Sequence, residues 1–172
     1  NFYQDNEDIK FYVEEYIDWA PLVELVENKY RFADGFKTVD EAKDFYLDVC
    51  DMIGSFVADE IAPYHRDLEK TGMKLKDGEV TQPPKMDEIF NKMTELGLHG
   101  MCLPREVGGM NVPLLVYMLT SEMFGRADVS MMATMLSVNE RLHGLINELE
   151  NADDEILTVM KKKQRLSHVF CL

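Results

Sequence analysis

Apolar residues recur at three- and four-residue spacing along most of the chain, the period of an amphipathic helix. Over residues 6–19 the repeating positions are Ile9, Tyr12, Val13, Tyr16 and Ile17. Pro21 opens a second short helix through Leu22, Leu25 and Val26, because its fixed φ suits a first turn, and Gly35 ends that region. The next helix is the best signposted. Thr38 followed by Glu41 forms a capping box, and Val39, Ala42, Tyr46, Val49, Ile53, Phe56 and Val57 mark one apolar face. Pro63 stops it, since proline lacks the N–H and turns the preceding residue away from helical geometry. Gly54 inside it is either a weak point or a place of close contact. Residues 63–84 hold two glycines, three prolines and many charges with little periodicity, which predicts a loop. A loop of that length is either functional or an excursion over the surface. Pro83 and Pro84 lead into a helix with Met86, Ile89, Phe90, Met93 and Leu96 inward, closed by Gly97.

Three glycines and a proline break any regular helix over residues 98–111. Asn111 caps and Pro113 opens a helix over 112–125, with Leu114, Leu115, Met118 and Leu119 on its apolar side. Asp128 caps a further helix that begins Val-Ser-Met-Met-Ala-Thr-Met-Leu and runs to about Leu149. Residues 153–166 predict a last one. There is no internal repeat and no alternating strand of any length. The fold class is therefore all-α, a helical bundle of about six helices.

Composition narrows the function classes. Lys and Arg total 18 against 32 Asp and Glu, a net charge of -14, so neither nucleic acid nor an anionic membrane surface is an expected partner. No apolar run approaches the roughly 18 residues of a membrane span. The opening Asn-Phe-Tyr-Gln-Asp lacks the basic flank and apolar stretch of a signal peptide. It also lacks an initiator Met, which leads us to expect a start inside a longer reading frame. Cys50, Cys102 and Cys171 form no CxxC pair, so no metal site is expected. An odd count without a secretory signal points to reduced thiols and a cytoplasmic setting. Residues 1–60 hold 16 acidic and 5 basic side chains, whereas residues 61–172 hold 16 and 13. The acidic third reads as solvated helix faces. Lys161–Arg165 is the one basic cluster, too short to claim a nucleic-acid site.

The stretch from Leu96 to Ser137 carries four features in a specific order. A helix ends Glu95-Leu96-Gly97-Leu98-His99-Gly100. Next comes Leu103-Pro104-Arg105-Glu106-Val107-Gly108-Gly109-Met110, with a proline, an acidic residue and a Gly-Gly turn. A helix end, Thr120-Ser121-Glu122-Met123-Phe124-Gly125-Arg126-Ala127-Asp128, follows, and then a Met-rich apolar helix. In order and spacing this resembles the N-terminal helical domain of acyl-CoA dehydrogenases, over roughly residues 40–140. The acidic, aromatic residues 1–35 look like the extended lead of the larger members. The likeness fades after residue 140, where Asn151-Ala152-Asp153-Asp154 and the basic cluster stand in place of the family's usual continuation into a β-domain. The implied division is an acidic, aromatic-rich helical lead over 1–38, a family-like helical domain over 39–150 and an atypical helical, basic tail over 151–172.

The resemblance implies an FAD-dependent α,β-desaturation of acyl-CoA thioesters in the full-length enzyme. There a glutamate takes the α-proton and the flavin takes the β-hydride. FAD and that glutamate belong mainly to the β-domain and the C-terminal helical domain, so no catalytic residue and no flavin are expected on this chain alone. Nor does the chain hold a GxGxxG. The implied partners are acyl-CoA, those further domains and further copies in a homo-oligomer. Matching the pocket-lining helix residue by residue points to Met132, Met135, Leu136 and Ser137 as substrate-binding, with Met131 nearby. Thioethers suit a wall that accepts several chain shapes, although by spacing alone the default reading of these methionines is plain helix core. Gly108-Gly109 reads as a turn of backbone geometry that only glycine takes easily.

Other residues carry less. His99 and His143 lie near the candidate wall in sequence and read as structural or surface groups. Ser121 and Glu122, adjacent on a helix, point apart and make no acid–base pair. Arg105 and Glu106 are candidates for an ion pair at a domain interface. Trp19 with Phe2, Tyr3, Phe11, Tyr12 and Tyr16 exceeds what one helix buries, which points to a partner surface. A rival from another class is a stand-alone helical interaction module that reuses the fold without chemistry. What the gene encodes after Leu172 separates the two.

Overall fold

A computed structural model describes residues 1–150 and, in the last helix, the side chains of all but 139, 140, 143 and 146–150. Helix α1 (Glu7–Lys10) is capped by Asn6, whose Oδ1 accepts the Ile9 N–H at 3.2 Å, and runs on as a π-helical stretch over Phe11–Tyr16. Helix α2 spans Trp19–Val26, and α3 spans Val39–Phe56, continuing as a π-turn over Val57–Ile61. Helix α4 (His65–Thr71), a hairpin of β1 (Lys74–Lys76) and β2 (Glu79–Thr81), and α5 (Pro84–Glu95) follow. Two short 3-10 turns, Leu98–Gly100 and Arg105–Val107, lead to α6 (Leu114–Ala127) and α7 (Val129–Glu150). Among the described residues no helix is long and apolar enough to cross a membrane.

The all-α expectation holds, with seven α-helices among the described residues rather than about six. Helix α3 is central, and α2 and α6 pack on it, with α7 against α6. Half of its capping box forms as expected, with Thr38 Oγ1 accepting the Glu41 N–H at 3.2 Å, while Glu41 Oε2 reaches one residue further back to accept the Lys37 N–H at 3.0 Å. Ala42, Tyr46, Val49, Ile53, Phe56 and Val57 are all buried, as the repeat predicts. Gly54 is a place of close contact, because an added Cβ would stand 2.5 Å from the Tyr3 nitrogen.

Four expectations are corrected. The segment 63–84 is not a loop. Helix α4 buries Leu68, and Lys74-Leu75-Lys76-Asp77-Gly78-Glu79-Val80-Thr81 is a hairpin in which Lys76 pairs with Glu79. Its signal was in the sequence: Asp-Gly between alternating residues demands the positive φ at both turn positions, 54° and 84°, that is found. On α6 the buried face is Val116, Tyr117, Thr120, Ser121, Met123 and Phe124, whereas Leu114, Leu115 and Met118 are exposed. Thr120 and Ser121 tolerate burial because both hydroxyls donate to the Tyr117 carbonyl at 2.8 Å. Asn111 does not cap α6. It adopts φ 55°, and its Nδ2 donates to the Val26 carbonyl at 3.2 Å.

The lead is the last correction, because the 6–19 repeat is not one helix. The helical run ends at Tyr16, and Trp19 starts α2. Tyr3, Ile9, Val13, Trp19 and Val23 are buried, and Trp19 stacks 5.4 Å from Tyr46 while donating Nε1–H to the Val13 carbonyl at 2.9 Å. Phe11, Tyr12 and Tyr16 stay outside as a mutually packed cluster, and Leu25 and Leu96 are exposed too. The expected tail helix over 153–166 and Cys171 lie outside the described residues.

Candidate functional site

The α6–α7 corner sets the candidate wall. Asp128 leaves helical geometry, and its Oδ1 accepts the N–H groups of Ser130 at 2.8 Å and Met131 at 3.1 Å. Two of the four orphan donors of α7 are thereby satisfied, which fixes where the helix starts and which residues face inward. Met131 and Met135, one turn apart, are wholly buried against the core. The Tyr117 hydroxyl donates to the Met135 carbonyl at 3.2 Å and pins that turn to α6. Met132 and Leu136 occupy the adjoining strip, partly buried and packed on the core. Ser137 is exposed, and its hydroxyl donates back to the Ala133 carbonyl at 2.9 Å. The four expected wall residues therefore form a graded strip, from Met135 inside to Ser137 outside. Gly125 belongs to this fit, since a Cβ there would meet the Met132 sulfur at 2.8 Å.

A cavity of about 470 Å³ opens at the start of α7, lined among others by His65, Leu68, Met86, Asp128 and Val129. None of Met132, Met135, Leu136 and Ser137 lines it. The sequence pattern does not reveal it, because part of its lining comes from α4, in the segment whose composition predicts a loop.

The preceding loop is held in place from three sides. Asn111 N–H donates to the Leu103 carbonyl and Val112 N–H to the Met101 carbonyl, at 2.9 and 2.8 Å. Gly108 has φ 89°, and a Cβ on Gly109 would stand 2.0 Å from the Leu103 carbonyl oxygen, so the Gly-Gly pair is a structural turn. Arg105 meets Glu27, 78 residues earlier, through two parallel N–H···O bonds of 2.9 and 2.7 Å. Glu27 is fully buried, and the guanidinium also lies 4.9 Å over the Phe36 ring. The ion pair expected of Arg105 exists, then, but inside the chain, clasping the lead to the loop.

None of the remaining candidates assembles a reacting constellation. Ser121 is buried with its hydroxyl engaged, and Glu122 is exposed on the other side of α6. The ring of His99 sits against Phe90 with Nε2 3.4 Å from its carbonyl, and Nδ1 is buried without a partner. Burial holds His99 below the usual imidazole range and so favours the neutral ring. Burial likewise lifts the Cys50 thiol to about 12, which makes it an inert core residue. Among the described residues no three metal-ligating side chains converge. One Glu-x-x-His occurs, Glu140–His143, where a di-metal bundle requires two, and its side chains lie outside the described residues.

An all-α bundle with a Gly-Gly turn before an aspartate-capped, methionine-rich helix is the class defined so far. Residues 46–151 match the family described as acyl-CoA dehydrogenase, N-terminal domain. The chain belongs to that family. It is also similar to 3-methylmercaptopropionyl-CoA dehydrogenase of Ruegeria pomeroyi, 25% identical over 138 residues that cover 80% of this chain. The chain spans 22% of the length of that relative.

Proposed function

We propose that this chain acts as the N-terminal helical domain of an FAD-dependent acyl-CoA dehydrogenase, providing one wall of the acyl pocket. The observation that carries this reading is the strip on α7: Met131 and Met135 anchor the helix, while Met132 and Leu136 keep part of their apolar surface uncovered. A half-covered thioether beside a half-covered leucine is a surface that an acyl chain fits without polar cost. Exposed Leu114, Leu115 and Met118 on α6 support contact with the further domains.

Flavin binding and proton abstraction are proposed, on the family's pattern, for the rest of the enzyme, in a cytoplasmic homo-oligomer. Among the described residues the sole sheet is the hairpin, whose strands are exposed throughout. The relative's name specifies 3-methylmercaptopropionyl-CoA, whereas the proposal for this chain extends only to acyl-CoA thioesters as a class.

The test is Met132→Trp in the complete gene product. The expected result is a fall in kcat/KM of about tenfold for the longest accepted acyl-CoA, with short substrates and flavin content unchanged. An unaltered chain-length profile would remove Met132 from the wall.

A further inference from the structure

The hairpin is the one described element whose residues are all exposed, and its chemistry differs between its two edges. Asp77 and Gly78, with φ of 54° and 84°, make a two-residue turn of the I′ kind, closed by the Lys76–Glu79 pair. Hydrogen-bonding direction alternates along an antiparallel strand. The main-chain groups of Lys76 and Glu79 therefore face one another, and those of the next pair, Leu75 and Val80, face outward. Val80 thus offers one N–H and one C=O on the free edge of β2. Its side chain stands opposite Leu75 on one face, and the two are 68% and 75% exposed. Met73, two residues before Leu75, shares that face and is 55% exposed.

Charge separates the edges. The free edge of β1 is flanked by Lys74 and Lys76, so self-pairing about Leu75 would set Lys74 against Lys76 of the second copy, twice. Lysines so placed are a familiar block to edge pairing. The edge of β2 has no such block. Self-pairing about Val80 sets Glu79 against Thr81 of the second copy, with no like charges opposed.

We propose that the free edge of β2 pairs antiparallel with the same edge of a second copy of this chain, about a two-fold axis at Val80. The two Val80 residues exchange N–H···O bonds, and the apolar face becomes a continuous row of Leu75, Val80, Val80 and Leu75. Two main-chain hydrogen bonds and four side chains make a small interface, so the association is weak by itself and adds to whatever contacts the rest of the enzyme makes. The inference is independent of the acyl-pocket reading.

Sedimentation velocity of the 172-residue chain over a range of concentrations tests it, alongside Thr81→Glu and Val80→Lys. Thr81→Glu places a carboxylate opposite Lys74 within the hairpin, which favours the hairpin, yet opposite Glu79 of the second copy, which opposes the dimer. Misfolding therefore cannot explain a loss. The expected result is a concentration-dependent dimer whose Kd rises about tenfold in either variant. A chain that stays monomeric up to about 1 mM overturns the proposal. So does a dimer that both variants leave unchanged, or one abolished instead by Phe11→Ser/Tyr16→Ser, which would assign the contact to the aromatic cluster of the lead.

Discussion

The lead and the hairpin are both additions around the helical core, and they meet it in opposite ways. The lead lies in the acidic third of the chain, where 16 acidic side chains face 5 basic ones over residues 1–60. It is nonetheless integral: Tyr3, Ile9, Val13, Trp19, Val23 and even the carboxylate of Glu27 are buried. The hairpin carries nearly balanced charge and alternates cleanly, yet Leu75 and Val80 face solvent. Net charge therefore does not report how firmly a segment is built in. What decides is whether one of its faces meets apolar surface. The lead meets α3, with Trp19 on Tyr46 and Arg105 closing over Glu27. Every residue of the hairpin strands is exposed, so neither face is buried among the described residues.

Breaking the clasp should give the largest effect. Arg105→Ala leaves Glu27 charged, buried and unpaired, an arrangement that costs about 3–5 kcal/mol. It also strips the guanidinium from the Phe36 ring. Urea denaturation of the chain should show that loss, and Arg105→Lys should recover only part of it, since an ammonium cannot reproduce the paired N–H fork. Replacing both partners with leucine should recover most of it, because no buried charge is then left alone. A loss under about 1 kcal/mol in Arg105→Ala would mean that the lead is held by its apolar contacts alone.

That clasp also marks the limit of what the sequence discloses. The Thr38–Glu41 box, the Asp128 cap and the α3 face are local, set by residues within a turn or two, and all are legible in the chain. Glu27 and Arg105 are 78 residues apart, and nothing local distinguishes Glu27 from the solvated carboxylates around it. The α6 face was misread for a different reason. Leucine and methionine outrank threonine and serine in hydrophobicity, but hydroxyls that donate back to the Tyr117 carbonyl enter a core at little cost. The hairpin was legible in its Asp-Gly turn and was hidden by the charged, proline-flanked segment around it. The candidate wall was legible as an apolar, methionine-rich strip after a capping aspartate. That Met135 anchors while Met132 and Leu136 stay half-covered depends on how α7 is rotated against α6, which spacing does not determine.

A smaller effect sharpens the comparison from the side of the clasped loop. His99 sits on that loop with its imidazole pKa held down by burial, so the folded state binds its proton less readily than the unfolded chain does. The contribution is present above the ordinary imidazole pKa of about 6.5 and is lost as pH falls from there towards the lower folded value. Urea midpoints measured from about pH 8 down to pH 5 should therefore decline below pH 6.5, beyond whatever the carboxylates contribute. His99→Gln should flatten that part of the curve. An identical decline in the variant would assign it to other groups.

The smallest effect belongs to the hairpin, and its smallness is informative. Leu75→Thr together with Val80→Thr removes two apolar side chains while placing β-branched residues suited to a strand at both positions. In the lead, losing two such side chains from the interior would cost several kcal/mol, as large-to-small core changes do. Here both positions already face water, so the unfolding free energy of the dilute chain should move by less than about 0.5 kcal/mol. Measured in urea at low protein concentration, the double variant should be indistinguishable from the wild type. A larger loss would mean that the hairpin face is covered within the monomer and that the contrast with the lead is one of degree. A null result in dilute solution, joined to weaker self-association at high concentration, would place the function of this apolar face between molecules rather than within one.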